Sequence, residues 1–346
     1  MNREGNGSLE MMKCFGWLTS RWIRFVRSGL SLWFLLAAIQ TNAAEGVEIK
    51  ELDGYLRIEV NGQLFTEYHY QGAPHVYFYP LLGPGGLPMT RDFPMKNSPA
   101  EEQDHKHHRS LWYAHGDVNG VDFWSEEKGA GSIRHVKFLD IQSGKYAGWI
   151  RSSNEWVNIE GGVVCTDERI FRVYARPDQE RIFDFEISIF AQKKDLILGD
   201  TKEGSMAIRL NEALRLKPNK FNEGKTVGTI VQDTGMKDDN TWGKRAAWCD
   251  YHGMLNGKRV GVALFDHPHN PRHPTHWHVR DYGLFAANPF GLHDFEKKPK
   301  GAGKLVIPPG RSITFRYRFY IHEGDTEAAK VAERYKEYST TNPVQF

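Results

Sequence analysis

Cysteine is scarce in this chain of 346 residues, and three thiols cannot make a disulfide scaffold. Long apolar runs are scarce too. Only Leu30-Ser-Leu-Trp-Phe-Leu-Leu-Ala-Ala-Ile39 stands out, and it falls well short of the ~20 residues a membrane-spanning helix needs. Glycine shows no period, which excludes a fibre, while 40% hydrophobic and 13% aromatic residues exclude a disordered chain. Nor is there an excess of one charge. The formal charge is +2, but Arg3, Lys13, Arg21, Arg24 and Arg27 stand against only Glu4 and Glu10 in residues 1–44. The remainder holds 40 basic and 41 acidic groups, a balance that speaks against a nucleic-acid partner.

Familiar catalytic signatures are also missing. There is no G-x-S-x-G elbow and no glycine-rich phosphate loop opening a helix; Gly83-Pro-Gly-Gly86 reads as a turn. Neither Cys165 nor Cys249 has a histidine beside it in sequence, so nucleophilic serine or cysteine catalysis is not expected.

Three arginines, a short apolar run and Ala43-Ala44 together make a secretory signal peptide, with cleavage expected near Ala43 or Ala44. The mature protein, residues 45–346, is therefore expected to be periplasmic or extracellular, with no stable membrane span. Cys14 leaves with the leader. Cys165 and Cys249 then face an oxidising compartment where a disulfide is permitted, but their spacing does not pair them, and two separately buried thiols are expected.

From Val47 onward the pattern is one of strands and turns. Leu56, Ile58 and Val60 alternate up to Asn61-Gly62, a strong hairpin signal that recurs at Asn256-Gly257. Val163 to Ala175 and Ile182 to Phe190 read as long strands. Leu305-Val-Ile307 meets Pro308-Pro-Gly310, after which Ile313, Phe315, Tyr317, Phe319 and Ile321 alternate with polar or amphipathic neighbours. Only Asp325 to Tyr338 reads as a helix, capped by Asp325 or Thr326, with Ala329, Val331, Ala332 and Tyr335 as its apolar stripe. With no linker or repeat, the expectation is an all-β protein: one large antiparallel β-supersandwich over residues 45–346 with a short C-terminal helix.

Nine of fifteen histidines fall in two loop-like windows. Asp104-His-Lys-His-His-Arg109 with His115 holds four; Asp266-His-Pro-His-Asn-Pro-Arg-His-Pro-Thr-His-Trp-His278 holds five, stiffened by Pro268, Pro271 and Pro274. Imidazole titrates near neutrality and serves as acid, base or metal ligand. In an extended segment His105 and His107 point the same way, as do His276 and His278, so either pair is a candidate to share a substrate or one divalent metal ion, although no zinc signature is present. His105, His107, His108 and His278 are the candidate catalytic residues of one shared site.

Around these windows stand groups suited to a sugar, whose apolar C–H faces and hydroxyls call for aromatic platforms with carboxylates, amides and arginine. Trp112, His115, Asp117, Asn119, His267 and Trp277 are candidate binding residues, and Arg91, Arg109 and Arg280 candidate clamps, each weighed against a structural ion pair such as Arg280 with Asp281. Phe123 and Trp124 read as core. Glu155, Glu186, Glu203, Glu212 and Glu223 are the acids available to complete the site, and the sequence does not choose among them.

Three stretches carry a family resemblance: Tyr79-Pro-Leu-Leu-Gly-Pro-Gly-Gly86 with Thr90-Arg-Asp-Phe-Pro94; the Asp104 to Trp112 and His115 to Trp124 segments; and His267 to Thr275, Trp277 to Gly283 and Ala287 to Gly291. On these the chain resembles, over nearly all of its mature length, the exported bacterial family labelled "methane oxygenase PmoA-like". A true methane monooxygenase subunit is a polytopic membrane protein, which one short apolar run cannot be. Pro308-Pro-Gly310 with the strand after it also looks like the closing hairpin of galactose-mutarotase-like domains, a likeness at the level of fold that implies histidine and glutamate side chains acting on sugar rings.

The leading expectation is an exported carbohydrate-active enzyme that transfers protons at a sugar, as an epimerase, a lyase or a keto-glycoside-processing enzyme does. The alternatives are a periplasmic oxygenase with a histidine-bound metal and a non-catalytic carbohydrate-binding module.

Overall fold

The computed structural model describes residues 45–222 and 227–341. The signal peptide expected over residues 1–44 and the candidate acid Glu223 lie outside them.

The chain opens with β1 (Val47–Leu52), β2 (Tyr55–Val60), β3 (Gln63–His69), β4 (Tyr77–Leu81) and β5 (Leu111–His115). A long meander follows: β6 (Ser132–Gln142), β7 (Ala147–Val157), β8 (Val163–Tyr174) and β9 (Glu180–Ala191). After β10 (Leu196–Leu198) and β11 (Gly204–Arg209) come β12 (Thr229–Gln232), β13 (Trp248–Leu255) and β14 (Lys258–Asp266). The last elements are β15 (His276–Val279), β16 (Leu284–Asn288), α1 (Leu292–Glu296), β17 (Leu305–Ile307), β18 (Ser312–Glu323) and α2 (Val331–Ser339).

These strands make two eight-stranded antiparallel sheets, ordered β1-β2-β3-β4-β5-β11-β16-β15 and β12-β13-β14-β18-β9-β8-β7-β6. The all-β sandwich with a short C-terminal helix expected from the alternation is the fold observed. Inner faces meet through aromatic rings: Phe78 stacks on Phe171 at 4.1 Å, Phe65 lies 5.6 Å from Phe183, and Tyr113 lies 6.3 Å from Phe185. On long strands such as β8 every second residue enters this core, as the pleat requires, whereas β5, β11 and β16 are buried along their whole length. Asn61 and Asn256 both take the left-handed conformation, φ 51° and 50°, and the glycine after each does too, so both Asn-Gly pairs close the hairpins their sequence announced. Phe123 and Trp124 are buried, as expected.

Two local expectations are corrected. Leu305–Ile307 does not form a hairpin with the strand after it. It pairs with Leu196–Leu198 in a separate two-stranded sheet, whereas β18 lies between β9 and β14. Alternation marks a strand but not its partner, and β9, twelve residues long, offers β18 a far longer edge than three residues of β17 could. The C-terminal helix starts at Val331 and not at Asp325. Lys330 adopts φ 53°, which no α-helix accommodates, so residues 325–330 form turns whose backbone is tied by Asp325 Oδ1 accepting from the Ala328 amide. Cys165 and Cys249 are separate, buried, free thiols. Among the described residues no helix is long and apolar enough to cross a membrane.

Candidate functional site

Strands β5, β11, β16 and β15 lie side by side, and their register sets Trp112, Ala207, Ala286 and His278 in one row. Three strand spacings of ~4.8 Å put about 14 Å between the ends of that row. Alternation turns Tyr113, Met206, Phe285 and Trp277 toward the second sheet and sends Trp112, Arg209, His276 and His278 to the opposite face. The two alanines leave the middle of the row without bulk.

The first histidine window folds over the Trp112 end. Fully buried Arg91 donates to the carbonyls of Phe93, Glu102, Asp104 and His105 and to Asp104 Oδ1. A guanidinium has five N–H groups, and all are used. Arg91 therefore fixes the backbone of the histidine loop and has no donor left for a ligand. The loop is not extended: His105 has φ 45°. Its ring stacks on His108 at 4.7 Å and on Tyr282 at 5.2 Å, while Nδ1 donates to Asp104 Oδ2 at 2.6 Å.

His108 lies flat against Trp112 with ring centroids 5.2 Å apart. Arg209 Nη1 donates to its Nδ1 at 3.0 Å, so the imidazole proton sits on Nε2. Burial, reinforced by the Arg209 charge, holds the His108 pKa well below the ordinary histidine value. His107 is half-buried, and neither ring nitrogen has a hydrogen-bond partner among the described residues. Burial and the neighbouring His105 push its pKa down to about 4, against the opposing pull of Glu203 and Asp122. Arg209, also fully buried, ion-pairs with Asp104 at 3.0 Å and lies 4.7 Å over the Tyr282 ring. Burial and Arg91 lower its pKa to about 10, which still leaves it charged at neutral pH.

At the other end of the row, His278 donates from Nδ1 to the Lys202 carbonyl at 2.7 Å, leaving the lone pair on Nε2. Burial pushes its pKa down to about 3. Trp242 stands edge-on at 6.4 Å. Arg280 lies 5.9 Å over Trp242 and 5.6 Å over Tyr282, and its guanidinium has no hydrogen bond or ion pair among the described residues. The Asp281 carboxylate offered as its partner binds Lys217 instead, at 3.0 Å. Glu203, salt-bridged to Lys202, acts electrostatically on both His107 and Tyr282, beside Asp122 at His107 and Asp104 at Tyr282.

Tyr282 thus bridges the loop of His105, His107 and His108 to the His278 end of the sheet. The rest of the second window goes elsewhere. His273 binds Asp266 at 2.7 Å, and His267 contacts the Thr341 carbonyl and Tyr338, with His269 packed beside it. His276 is buried against Glu296 at 2.8 Å and Phe295. His115 and Trp277 turn inward and are tied to the carbonyls of Gly199 and Ala246. Arg109 makes a two-pronged pair with Glu126 and lies over Tyr77. Asp117 and Asn119 close a turn, binding the Gly120 amide and the backbone of Asp195 and Ile197. Glu186 pairs with Arg316 on β18, Glu212 with Arg215 just past β11, and Glu155 sits on β7; of these only Glu212 acts on a residue of the face, Arg209.

Among the described residues no group of three His, Cys, Asp or Glu side chains is placed to hold a metal ion. Of the metal candidates, His105 faces Asp104, His276 faces Glu296, and His107 and His278 belong to opposite ends of the row. These donors do not fit a metal centre.

Arg209, Tyr282 and Trp242 were not singled out from the sequence. Arg209 ends a strand buried on both faces, and a charge at such a position is the signal that could have marked it. Tyr282 stands two residues past Arg280, within the Trp277 to Gly283 stretch.

In sequence, residues 55–336 match the family described as "Family of unknown function (DUF6807)". No curated protein matches. In structure, the chain is similar to galactose 1-epimerase from Lactobacillus acidophilus NCFM (8% identity, TM-score 0.36, 82% of this chain and 100% of that one). It is also similar to the GalM/aldose epimerase homologue from C. elegans (7% identity, TM-score 0.28, 81% and 99%). A heparan sulfate lyase HepC mutant from Pedobacter heparinus aligns at 10% identity and TM-score 0.35 over 82% of this chain, which spans 36% of the lyase's length.

Proposed function

This chain belongs to the DUF6807 family, and for it we propose an exported carbohydrate-active enzyme that moves a proton at a sugar carbon, residues 45–346 forming its working domain. The observation that carries the reading is the pair of neutral imidazoles on one face, His107 and His278, each with a nitrogen free of partners among the described residues. A neutral imidazole offers a lone pair to a C–H proton, and burial removes the water that would otherwise compete for it.

The surrounding groups give that chemistry direction. His278 presents Nε2 because the Lys202 carbonyl holds Nδ1–H. His108 presents Nε2–H as a donor because Arg209 holds Nδ1. When His107 takes up a proton, the nearby Glu203 charge stabilises the imidazolium. Tyr282 and Trp242 supply flat surfaces for the apolar face of a sugar. Epimerisation and elimination both begin with the same proton transfer.

The test is solvent exchange. Incubated in D2O with a panel of mono- and disaccharides, the protein should replace one ring C–H by deuterium, visible by proton NMR. Because the two lie at opposite ends of the row, one of His107→Ala and His278→Ala should slow exchange by about 100-fold or more, the usual share of a general acid or base, and so identify the base. Sugar binding without exchange would instead establish a binding module and end the enzymatic reading.

A further inference from the structure

We infer that the sugar is a uronate, that its carboxylate is held by Arg280, and that the carbon bearing the carboxylate is the one that loses its proton. This rests on the proton-transfer reading above and adds the substrate class.

Charge accounting at the face points there. Arg91, Arg209, Lys202 and Arg280 bring four cations, and the histidines are neutral or, for His105, hydrogen-bonded to Asp104. The nearby carboxylates are at least as many, Asp104, Glu203, Asp122, Glu212, Asp281 and Asp294 among them, but each is engaged by another group: Glu212 by Arg215, Asp281 by Lys217 and Asp294 by the Lys202 amide. Asp104 is shared by Arg91 and Arg209, Glu203 is taken by Lys202, and Asp122 is occupied by the amides of Trp124 and Ser125 and by the Ser125 hydroxyl. Arg280 has none. Its position between the faces of Trp242 and Tyr282 orders the guanidinium without using its donors. An arginine pre-oriented and unpaired is suited to bind a planar carboxylate in a two-pronged manner.

The chemistry follows from the same placement. A C–H beside a carboxylate is acidified when the carboxylate charge is neutralised. The C–H bond breaks, its proton goes to the free nitrogen of His107 or His278, and the electron pair moves into the carboxylate as an enediolate facing Arg280. Reprotonation from the opposite side by a proton-bearing imidazole there, as His108 is at Nε2, gives the epimer; departure of the substituent oxygen on the next carbon, which takes up a proton from such a group, gives the unsaturated product. Neither outcome needs an oxidant or reductant.

The experiment compares disaccharides ending in glucuronate, galacturonate, mannuronate or guluronate with their neutral hexose counterparts, in D2O, following the H5 signal by NMR and binding by calorimetry. Exchange at H5 of at least one uronate, and none in its hexose partner, is expected. Arg280→Gln should lower the uronate rate about 30- to 100-fold, the range for a lost charge-assisted contact, and Arg280→Lys should restore part of it. Melting curves confirm that both variants fold, since this side chain makes no hydrogen bond. Exchange in hexoses that equals that in uronates, still dependent on His107 or His278, would overturn the inference and leave the proton-transfer reading standing. Uronate binding that needs Arg280 but shows no exchange would uphold carboxylate recognition and refute the chemistry. No exchange and no binding would refute both.

Discussion

Arg209 donates to Nδ1 of His108 across 3.0 Å, and this one bond sets where the imidazole carries its proton. The same guanidinium ion-pairs with Asp104, whose carboxylate also takes a hydrogen bond from His105. A single buried side chain on β11 therefore fixes both the tautomer of one histidine and the partner of another.

Arg209→Gln should remove that constraint. Expected are a fall in sugar turnover of about tenfold or more and a loss of about 1–3 kcal/mol in urea unfolding, as for a broken charge-assisted hydrogen bond. Nitrogen NMR of the imidazole should show the His108 proton redistributed between Nε2 and Nδ1. An unchanged tautomer would mean that Arg209 does not set it.

Arg91→Ala should free the histidine loop. Five donors to loop groups vanish together, and Asp104 keeps only Arg209 and His105. A destabilisation of about 3–5 kcal/mol is expected for removing one partner from a buried ionic network. Hydrogen exchange should quicken at residues 101–110 more than in β7 and β8. Uniform quickening would show that Arg91 supports the whole fold and not the loop.

Acid should unfold this protein early. Burial lowers the pKa of His75 to about 3, His107 to about 4, His115 to about 4 and His278 to about 3, and puts His108 well below its ordinary value. Unfolded, each titrates near 6.5, so below that pH the unfolded chain binds protons that the folded one refuses. Their contribution is complete above pH 6.5 and is lost as pH falls toward 4, by up to about 1.4 kcal/mol per pH unit for each histidine. Urea midpoints at pH 7.5, 6.5, 5.5 and 4.5 should fall over the last three. A flat profile from 6.5 to 4.5 would contradict neutral buried imidazoles.

Cys165 and Cys249 should resist reagents. Burial raises both thiol pKa values well above the usual range, and neither is paired. Iodoacetamide should leave the mature native protein unmodified and add two groups after denaturation. Modification of either thiol under native conditions would refute this.

Asn61→Ala should cost about 1–2 kcal/mol of stability. Its φ of 51° suits asparagine far better than alanine, and its side chain also binds the Gly46 amide and the Arg176 carbonyl. A change under about 0.5 kcal/mol, the level of an ordinary surface substitution, would show that the hairpin does not depend on it.

The strands, their alternation and both Asn-Gly turns were legible in the sequence because each depends on neighbours two residues away or on one residue's φ. The clustering of histidines near His105 was legible for the same reason. Which histidines share a face was not. His276 and His278 reach the sheet that carries Trp112 because β15 pairs with β16, and β16 with β11; His267 and His273 stay behind at the end of β14. Strand partnership is a long-range choice decided by total burial and edge length, and no local pattern encodes it. The arginines show the same limit: Arg91, Arg109 and Arg280 looked alike in the sequence. Only the tertiary structure gave Arg91 five acceptors and Arg109 a carboxylate while leaving Arg280 unpaired between two rings, because pairing depends on which groups the sheets and loops bring within about 3 Å.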